Sequence, residues 1–360
     1  MDDSFALPGT LEFLEYAKIR LICLTFLSLM FNAISLYSGA GGLDLGFEST
    51  HKFATRVAVE FDERYAASLL RNQRALFYSS SPFLKECEII NAPVEQLLDQ
   101  GFFGSGQADI VYGGPPCQPF STIGKRLGLK DPRSRSIFDF FRVVETVAPL
   151  VFVFENVPNL KLQWSGLVFQ EIVDLIESLG IYTFQHQIVN FSSFGAATSR
   201  KRLLIVGFRK DLNVPANFFQ PVDVLSTVGE AFKGLPNPNS SRGQFPTDHV
   251  APQHTKKVRD RFVLLSPGEQ CKIRKRWRLD LRRPSNSLMA GGNSGYVLHI
   301  HPTEPREITL REAARIQGFP DEYVFMGKPL DVAKQIVNAV PVPVGNILGQ
   351  RIANVLGASK

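Results

Sequence analysis

The chain has 360 residues, of which 44% are hydrophobic and 21% charged, with a net charge of +6 and a pI of about 9.1. These values describe a globular protein with a large core and room for about two domains of roughly 150 residues, and the basic balance permits a polyanionic partner without requiring one. Its four cysteines (Cys23, Cys87, Cys117, Cys271) are far apart and form no C-x-x-C pair, which argues against a metal site or a disulfide framework and for a reducing intracellular setting.

The first predicted element is an apolar run, LICLTFLSLMF (21–31), after Lys18 and Arg20. It is too short to span a bilayer, which takes about 20 residues. Acidic residues precede it and no small-residue cleavage site follows, so it reads as a packed helix or a dispensable extension over 1–32, with Met30 as an alternative start, and not as a secretion signal. From 33 onward, β-branched runs alternate with helical spacing. Strands are predicted at 33–37, 56–61, 87–90, 109–114, 150–156, 184–190 and 202–208, and helices at 62–73, 136–147 and 167–180. Repeated strand–helix–strand order predicts an α/β domain over 33–210, built on a doubly wound, mostly parallel sheet covered on both faces. No helical pattern separates the last two strands, so they are expected to form an antiparallel hairpin at one edge.

After Phe208 the character changes. Residues 211–282 are rich in Pro, Asn, Ser and Gly early and basic later: 256–283 contains 11 Lys and Arg against 3 Asp and Glu. We expect a small inserted domain at 211–282 and a C-terminal segment, 283–360, that returns to the first domain, with helical spacing at 309–319 and in the final stretch.

Chemistry-bearing residues cluster at the predicted carboxyl ends of strands, where open α/β sheets bind ligands. In ISLYSGAGGLDLGFE (34–48), Gly39, Gly41 and Gly42 allow close backbone approach, and the helix that follows presents its N-terminal amides. A plain strand–helix turn has the same glycines, but one strand later Glu60 is suited to ribose hydroxyls and Phe61 to stacking on a base. These residues point to a nucleoside and leave NAD and S-adenosylmethionine equally open. In GGPPCQPFS (113–121) the prolines hold a rigid turn that aims Cys117; inert burial is commoner for a cysteine, but the turn lies at the functional edge. Glu155 in FVFENVPNL (152–160) follows four apolar residues. It would be costly to bury without a partner, and is either a cap or an acid with a raised pKa able to protonate a ring nitrogen. Arg200 and Arg202, two apart, share one face and could bind a phosphate or a base carbonyl.

Taken in order, YSGAGG, VEFD, PPCQPFS, FENV, SRKR, RRPSNSL, REAARIQGFPDEY and NAVPVPV resemble the DNA (cytosine-5) methyltransferases of the bacterial modification type, over roughly residues 33–358. The resemblance implies a Rossmann-like, S-adenosylmethionine-dependent fold and no metal. It implies that the Cys117 thiolate attacks carbon 6 of a cytosine flipped out of duplex DNA, that Glu155 contacts N3 and the exocyclic amine, and that Arg202 holds O2 with Arg200 in support. For the cofactor it implies Tyr37, Gly39, Ala40 and Gly42 on the methionine side and Glu60 on the ribose. Phe61, with Asn91 and Ala92, would meet the adenine, while Pro116, Asn338 and Ala339 complete the pocket. Residues 211–282 correspond to the target-recognition segment. A monomer in the bacterial cytoplasm, associated with the nucleoid, with double-stranded DNA as partner and a cognate restriction endonuclease acting on the same site, is the further expectation. Four positions depart from the pattern: Asn91 stands where an acid is usual, Thr198 for glutamine, Ser287 for threonine and Val337 for glycine. Competing readings are a transfer-RNA cytosine-5 methyltransferase, a catalytically silent DNA-binding regulator, and a nicotinamide dehydrogenase, which gives the Pro–Cys–Gln turn no role.

Overall fold

The computed structural model describes residues 30–77, 81–116, 135–162, 166–238, 248–273, 275–291 and 297–358. Residues 1–29, and with them nearly all of the apolar run, lie outside the described residues, as does Cys117. The strands, in chain order, are β1 (Phe31–Leu36), β2 (Phe53–Val59), β3 (Glu88–Ile90), β4 (Ile110–Gly113), β5 (Val151–Asn156), β6 (Tyr182–Asn190), β7 (Thr198–Ser199), β8 (Lys201–Arg209), β9 (Trp277–Arg278), β10 (Ser285–Asn286) and β11 (His299–Ile300). The helices are α1 (Gly42–Glu48), α2 (Glu63–Asn72), α3 (Val94–Asp99), α4 (Arg135–Val147), α5 (Asn159–Leu162), α6 (Leu167–Ser178), α7 (Val228–Phe232), α8 (Lys256–Val263), α9 (Leu310–Ile316), α10 (Pro329–Asn338) and α11 (Val342–Ala358).

Seven strands form one sheet in the order β3-β2-β1-β4-β5-β8-β6. The first five pair in parallel; β8 runs antiparallel to both β5 and β6. The α/β reading and the terminal antiparallel hairpin are thus both found. Alternate residues of each strand face opposite sides, and both sides are apolar. Ile34, Leu36, Phe152, Phe154, Leu203 and Ile205 join one core, against α4 and α6. Phe31, Ala33, Val151, Val153, Leu204 and Val206 join the other, against α11. Burial on both faces is why these strands read as continuous β-branched and aromatic runs and not as alternations.

The parallel order reverses direction between β1 and β4: β2 and β3 lie to one side, β5 to the other. Such a switch point opens a crevice beyond the carboxyl ends of the strands. Register keeps those ends level, with Leu36 opposite Val59 and Gly113, and Gly113 opposite Phe154. The residues that follow each strand therefore stand in one row.

Beyond β8 the chain is more irregular. A third core gathers Val228, Leu279, Leu288, Val297, Ile308 and the apolar faces of α9 and α10. Short parallel pairs link β10 to β7 and β11 to β9, so Trp277–Arg278 and His299–Ile300, on opposite sides of residue 282, share one small sheet. The C-terminal α11 packs against α1, and its Val344, Leu348 and Ile352 join the core beneath β1. Among the described residues, no helix is long and apolar enough to cross a membrane.

Candidate active site

A cavity of about 880 Å³ opens at the switch point, beyond the carboxyl ends of β1, β2, β4 and β5. It is lined by Tyr37, Gly39, Ala40, Gly42, Glu60, Phe61, Ala92, Pro116, Glu155, Arg200, Arg202, Asn338 and Ala339, so residues from seven separate stretches of sequence converge on one space.

The glycine turn forms the floor. Gly39 has φ +60° and a Cβ added there would meet nothing within 4 Å, so the missing side chain leaves open cavity. Gly42 serves packing instead: a Cβ would lie 2.3 Å from the Val340 carbonyl oxygen, which lets the C-terminal segment close one wall. Glu60 braces the turn. Its Oε2 accepts from the Gly39 amide at 2.7 Å and its Oε1 from the Asp62 amide at 2.8 Å. Burial pushes its carboxyl above the ordinary range, partly opposed by these bonds. Phe61 is 71% exposed, an unusual position for a phenylalanine and one suited to stacking on a planar ligand. On the opposite wall the Asn338 amide donates to the Tyr65 hydroxyl at 3.4 Å, and Arg64, on the same helix as Tyr65, pairs with Asp331 at 2.7 Å, tying α2 to α10.

Asn91 is not among the lining residues. Its amide nitrogen donates to the Glu60 and Phe61 carbonyl oxygens at 2.9 and 2.8 Å. The side chain therefore fixes the backbone of the two residues that do line the cavity.

The second half of the site follows from strand direction. Because β8 is antiparallel to β5, with Glu155 opposite Leu204 and Asn156 opposite Leu203, the start of β8 lies at the same edge as the end of β5. Arg202 thereby reaches Glu155, Nε to Oε1 at 3.0 Å. Arg200 donates to the Val337 carbonyl oxygen and, at 3.4 Å, to that of Asn338, so it links the Arg-x-Arg stretch to the end of α10. The valine departure at 337 leaves this bond intact because the acceptor is backbone. Burial raises the Glu155 pKa, with Arg202 and then Arg200 opposing it. Burial and Arg202 bring Arg200 down to about 10, which leaves it charged at neutral pH. Glu155 Oε2 also packs on the backbone before the cysteine turn: a Cβ at Gly114 would stand 2.8 Å from it. The Asn156 amide donates to the Pro115 carbonyl oxygen at 3.0 Å. Cys117 itself lies outside the described residues, one residue beyond Pro116.

Several lining residues were not singled out from sequence, three of them polar residues with partners in the wall. Ser136 and Asp139 lie on α4, and Asp44 is fully buried in the first turn of α1. Asp44 accepts from the Tyr112 hydroxyl at 3.2 Å, and that hydroxyl also meets Thr55 at 2.9 Å. A lone acid within an apolar helix start, GGLDLGF, is the signal that could have found it.

The arrangement offers a concave space with a glycine floor, a buried acid bonded to that floor, an exposed ring, and a carboxyl–guanidinium pair beside the proline turn. These are groups suited to a nucleoside cofactor at one end and a polar heterocycle at the other. The chain is 30% identical to the Type II methyltransferase M.XorII of Xanthomonas oryzae pv. oryzae, over 90% of this chain and 84% of that protein. It is also 30% identical to the Type II methyltransferase M1.HphI of Haemophilus parahaemolyticus, over 95% and 93%. A solved structure of a candidate DNA modification methyltransferase encoded within a prophage (E. coli) superposes with a TM-score of 0.72 at 27% identity, covering 91% of this chain and 99% of that one. The S. pombe Dnmt2 methyltransferase shares the fold, with a TM-score of 0.65 at 16% identity. Residues 31–354 match the family description as a whole, and the chain belongs to the C-5 cytosine-specific DNA methylases.

Proposed function

We propose that the protein methylates carbon 5 of a cytosine within a specific duplex DNA sequence, through a covalent adduct of Cys117 with a base turned out of the helix. The observation that carries the reading is the Glu155–Arg202 pair at the cavity edge, held against the Gly114–Pro116 turn that leads into Cys117. Carbon 5 of cytosine is a poor nucleophile, and addition of a thiolate to carbon 6 activates it. In this reading Glu155, whose pKa burial has raised, gives a proton to N3 as the adduct forms, while Arg202 holds the O2 carbonyl. Arg200 supports the pair from the end of α10. Once carbon 5 carries the methyl group, its proton passes to solvent, the thiolate leaves carbon 6, and N3 returns its proton to Glu155, which completes the cycle. The reacting atom is inaccessible in a stacked duplex, which is why the base must leave the helix.

The cavity fits S-adenosylmethionine, which when bound supplies an electrophilic methyl group. Tyr37, Gly39, Ala40 and Gly42 would border its methionine half, Glu60 its ribose, Phe61 and Ala92 its adenine, and Pro116, Asn338 and Ala339 the remaining wall. The volume, the open space over Gly39 and the exposed Phe61 ring support this fit. Asn91 would act through the Glu60 and Phe61 backbone. We assign DNA reading to residues 211–282 together with the strand partners beyond 282 that complete their small sheet. The Type II relatives support a modification role; that it is played beside a restriction endonuclease, by a monomer in a bacterial cytoplasm, is part of the proposal.

The test is incubation with tritium-labelled S-adenosylmethionine and duplex DNA or transfer RNA. Label in DNA that disappears with Cys117→Ser is the expected result. Label in RNA alone rejects the substrate, and label that survives Cys117→Ser rejects the nucleophile. Glu155→Gln should lower the transfer rate about 10²–10⁴-fold, the range of a lost general acid.

A further inference from the structure

Tyr37, the first residue after β1, has φ 55°, in the left-handed region where a bulky side chain is seldom found. Its hydroxyl donates to the Ser136 carbonyl oxygen at 2.9 Å. The hydroxyl of the same Ser136 donates to the Pro116 carbonyl oxygen at 3.1 Å. The Pro116 carbonyl belongs to the peptide bond whose nitrogen is that of Cys117. Two hydrogen bonds thus join the cofactor turn to the peptide plane that carries the cysteine, across a sequence separation of 99 residues for the first. Burial, with Asp139 and Glu95 nearby, pushes the Tyr37 phenol far above its ordinary pKa, so it remains a donor throughout the neutral range. Tyr37, Ser136 and Pro116 all line the cavity.

We propose that Ser136 and the Tyr37 hydroxyl are positioning residues for Cys117, and that through them occupancy of the glycine turn is transmitted to the reactivity of the thiol. This rests on the reading of Cys117 as nucleophile. A hydroxyl bonded to a carbonyl oxygen fixes the tilt of a peptide plane, and displacement of a reacting atom by about 1 Å can cost as much as 10²-fold in rate. A ligand seated on the glycine turn touches Tyr37, so it bears on the first bond of the chain. Phenylalanine at 37 would preserve the ring and its packing but break the first bond; alanine at 136 would remove the bond to Pro116 while leaving in place the backbone carbonyl that accepts from Tyr37.

The experiment compares the wild type with Tyr37→Phe, Ser136→Ala, Ser136→Thr and the Tyr37→Phe/Ser136→Ala double variant, at saturating S-adenosylmethionine so that affinity does not enter. The first readout is the rate at which iodoacetamide alkylates Cys117, followed on its peptide by mass spectrometry with and without the cofactor. Cys87 and Cys271, both buried, serve as internal references. The second readout is the single-turnover rate of transfer to DNA. The cofactor is expected to change Cys117 alkylation in the wild type and in Ser136→Thr, and to have little effect in Tyr37→Phe and Ser136→Ala. Each of those two should slow single turnover about fivefold, the effect of one lost hydrogen bond, and the double variant should be no slower than the worse single one. A wild type whose alkylation ignores the cofactor, a response unchanged in Tyr37→Phe and Ser136→Ala, or additive losses would each overturn the linkage. Cofactor-dependent alkylation without any transfer to DNA would instead reject the proposed reaction and leave the linkage standing.

Discussion

Asp44 shows what a single buried charge does in this protein. It is fully buried, its Oδ1 is held by Tyr112, and Oδ2 has no hydrogen-bond partner. Burial pushes its carboxyl from 3.8 up to about 6, and one turn later Glu48 rises to about 7 although the Leu84 and Thr55 amides bond to it. Both acids hold their proton more tightly in the folded chain than in the unfolded one. Their contribution is therefore most favourable below the ordinary carboxylate range and is lost as pH rises through about 4 to 7. For Asp44 the shift corresponds to about 3 kcal/mol at 1.36 kcal/mol per tenfold. Asp44→Asn keeps an acceptor for Tyr112 and removes the titration. Chemical denaturation without cofactor should show the variant gaining about 2 kcal/mol on the wild type between pH 4 and pH 8; a difference that stays constant with pH would mean the carboxyl is not raised.

At the scale of elements, the turn between β1 and α1 separates two uses of glycine that the letters alone do not distinguish. Gly39 faces the cavity with a positive φ, so Gly39→Ala should cost about 1–2 kcal/mol of backbone strain and put a methyl group into the space that the proposed reading gives to the cofactor. Gly42 meets the Val340 carbonyl oxygen, so Gly42→Ala must displace the wall formed by the C-terminal segment, an overpacking cost of about 1–3 kcal/mol. Thermal unfolding with and without S-adenosylmethionine should show Gly42→Ala with the larger drop in Tm. Gly39→Ala should show the larger loss of cofactor-induced stabilisation, and the reverse ranking would reject this division. Much of the sheet was legible because strands buried on both faces are uninterrupted apolar runs; the edges were less so, with β2 beginning at Phe53 and β6 at Tyr182, where polar residues dilute the pattern. Glu60, Glu155 and the proline turn were legible because each directly follows such a run. Asn91 was legible by position but not by role, since nothing local says that its amide turns back to two backbone carbonyls. Ser136 and Asp44 were missed for a related reason: their partners, Pro116 and Tyr112, are 20 and 68 residues away.

Across the whole molecule, the basic excess of 256–283 divides into two populations once the fold is known. Arg276 and Arg278 are buried. Arg276 pairs with Glu307, while Arg278 donates to the Pro302, Phe262 and Leu265 carbonyl oxygens, so these two hold the small β9–β11 unit together and are not available to phosphates. Arg282 and Arg283 are different: their side chains are 85% and 78% exposed, with Asp280 beside both. Lys256, Lys257 and Arg259 along α8 are exposed as well. Binding of a polyanion releases counterions in proportion to the phosphates neutralised, with a slope of log K against log salt of about −0.9 per contact. If the exposed arginines contact phosphates, Arg282→Ala with Arg283→Ala should make that slope shallower by about 2. It should also weaken binding to specific and unrelated duplexes alike, because phosphate contacts carry no sequence information. Arg278→Ala should act on the other population, lowering Tm through three orphaned carbonyl oxygens with no direct loss of a phosphate contact. Fluorescence anisotropy on a labelled duplex between about 50 and 200 mM salt reads the difference. An unchanged slope in the double variant would move the DNA-facing charge away from residues 282–283 and leave α8 as the surface to test.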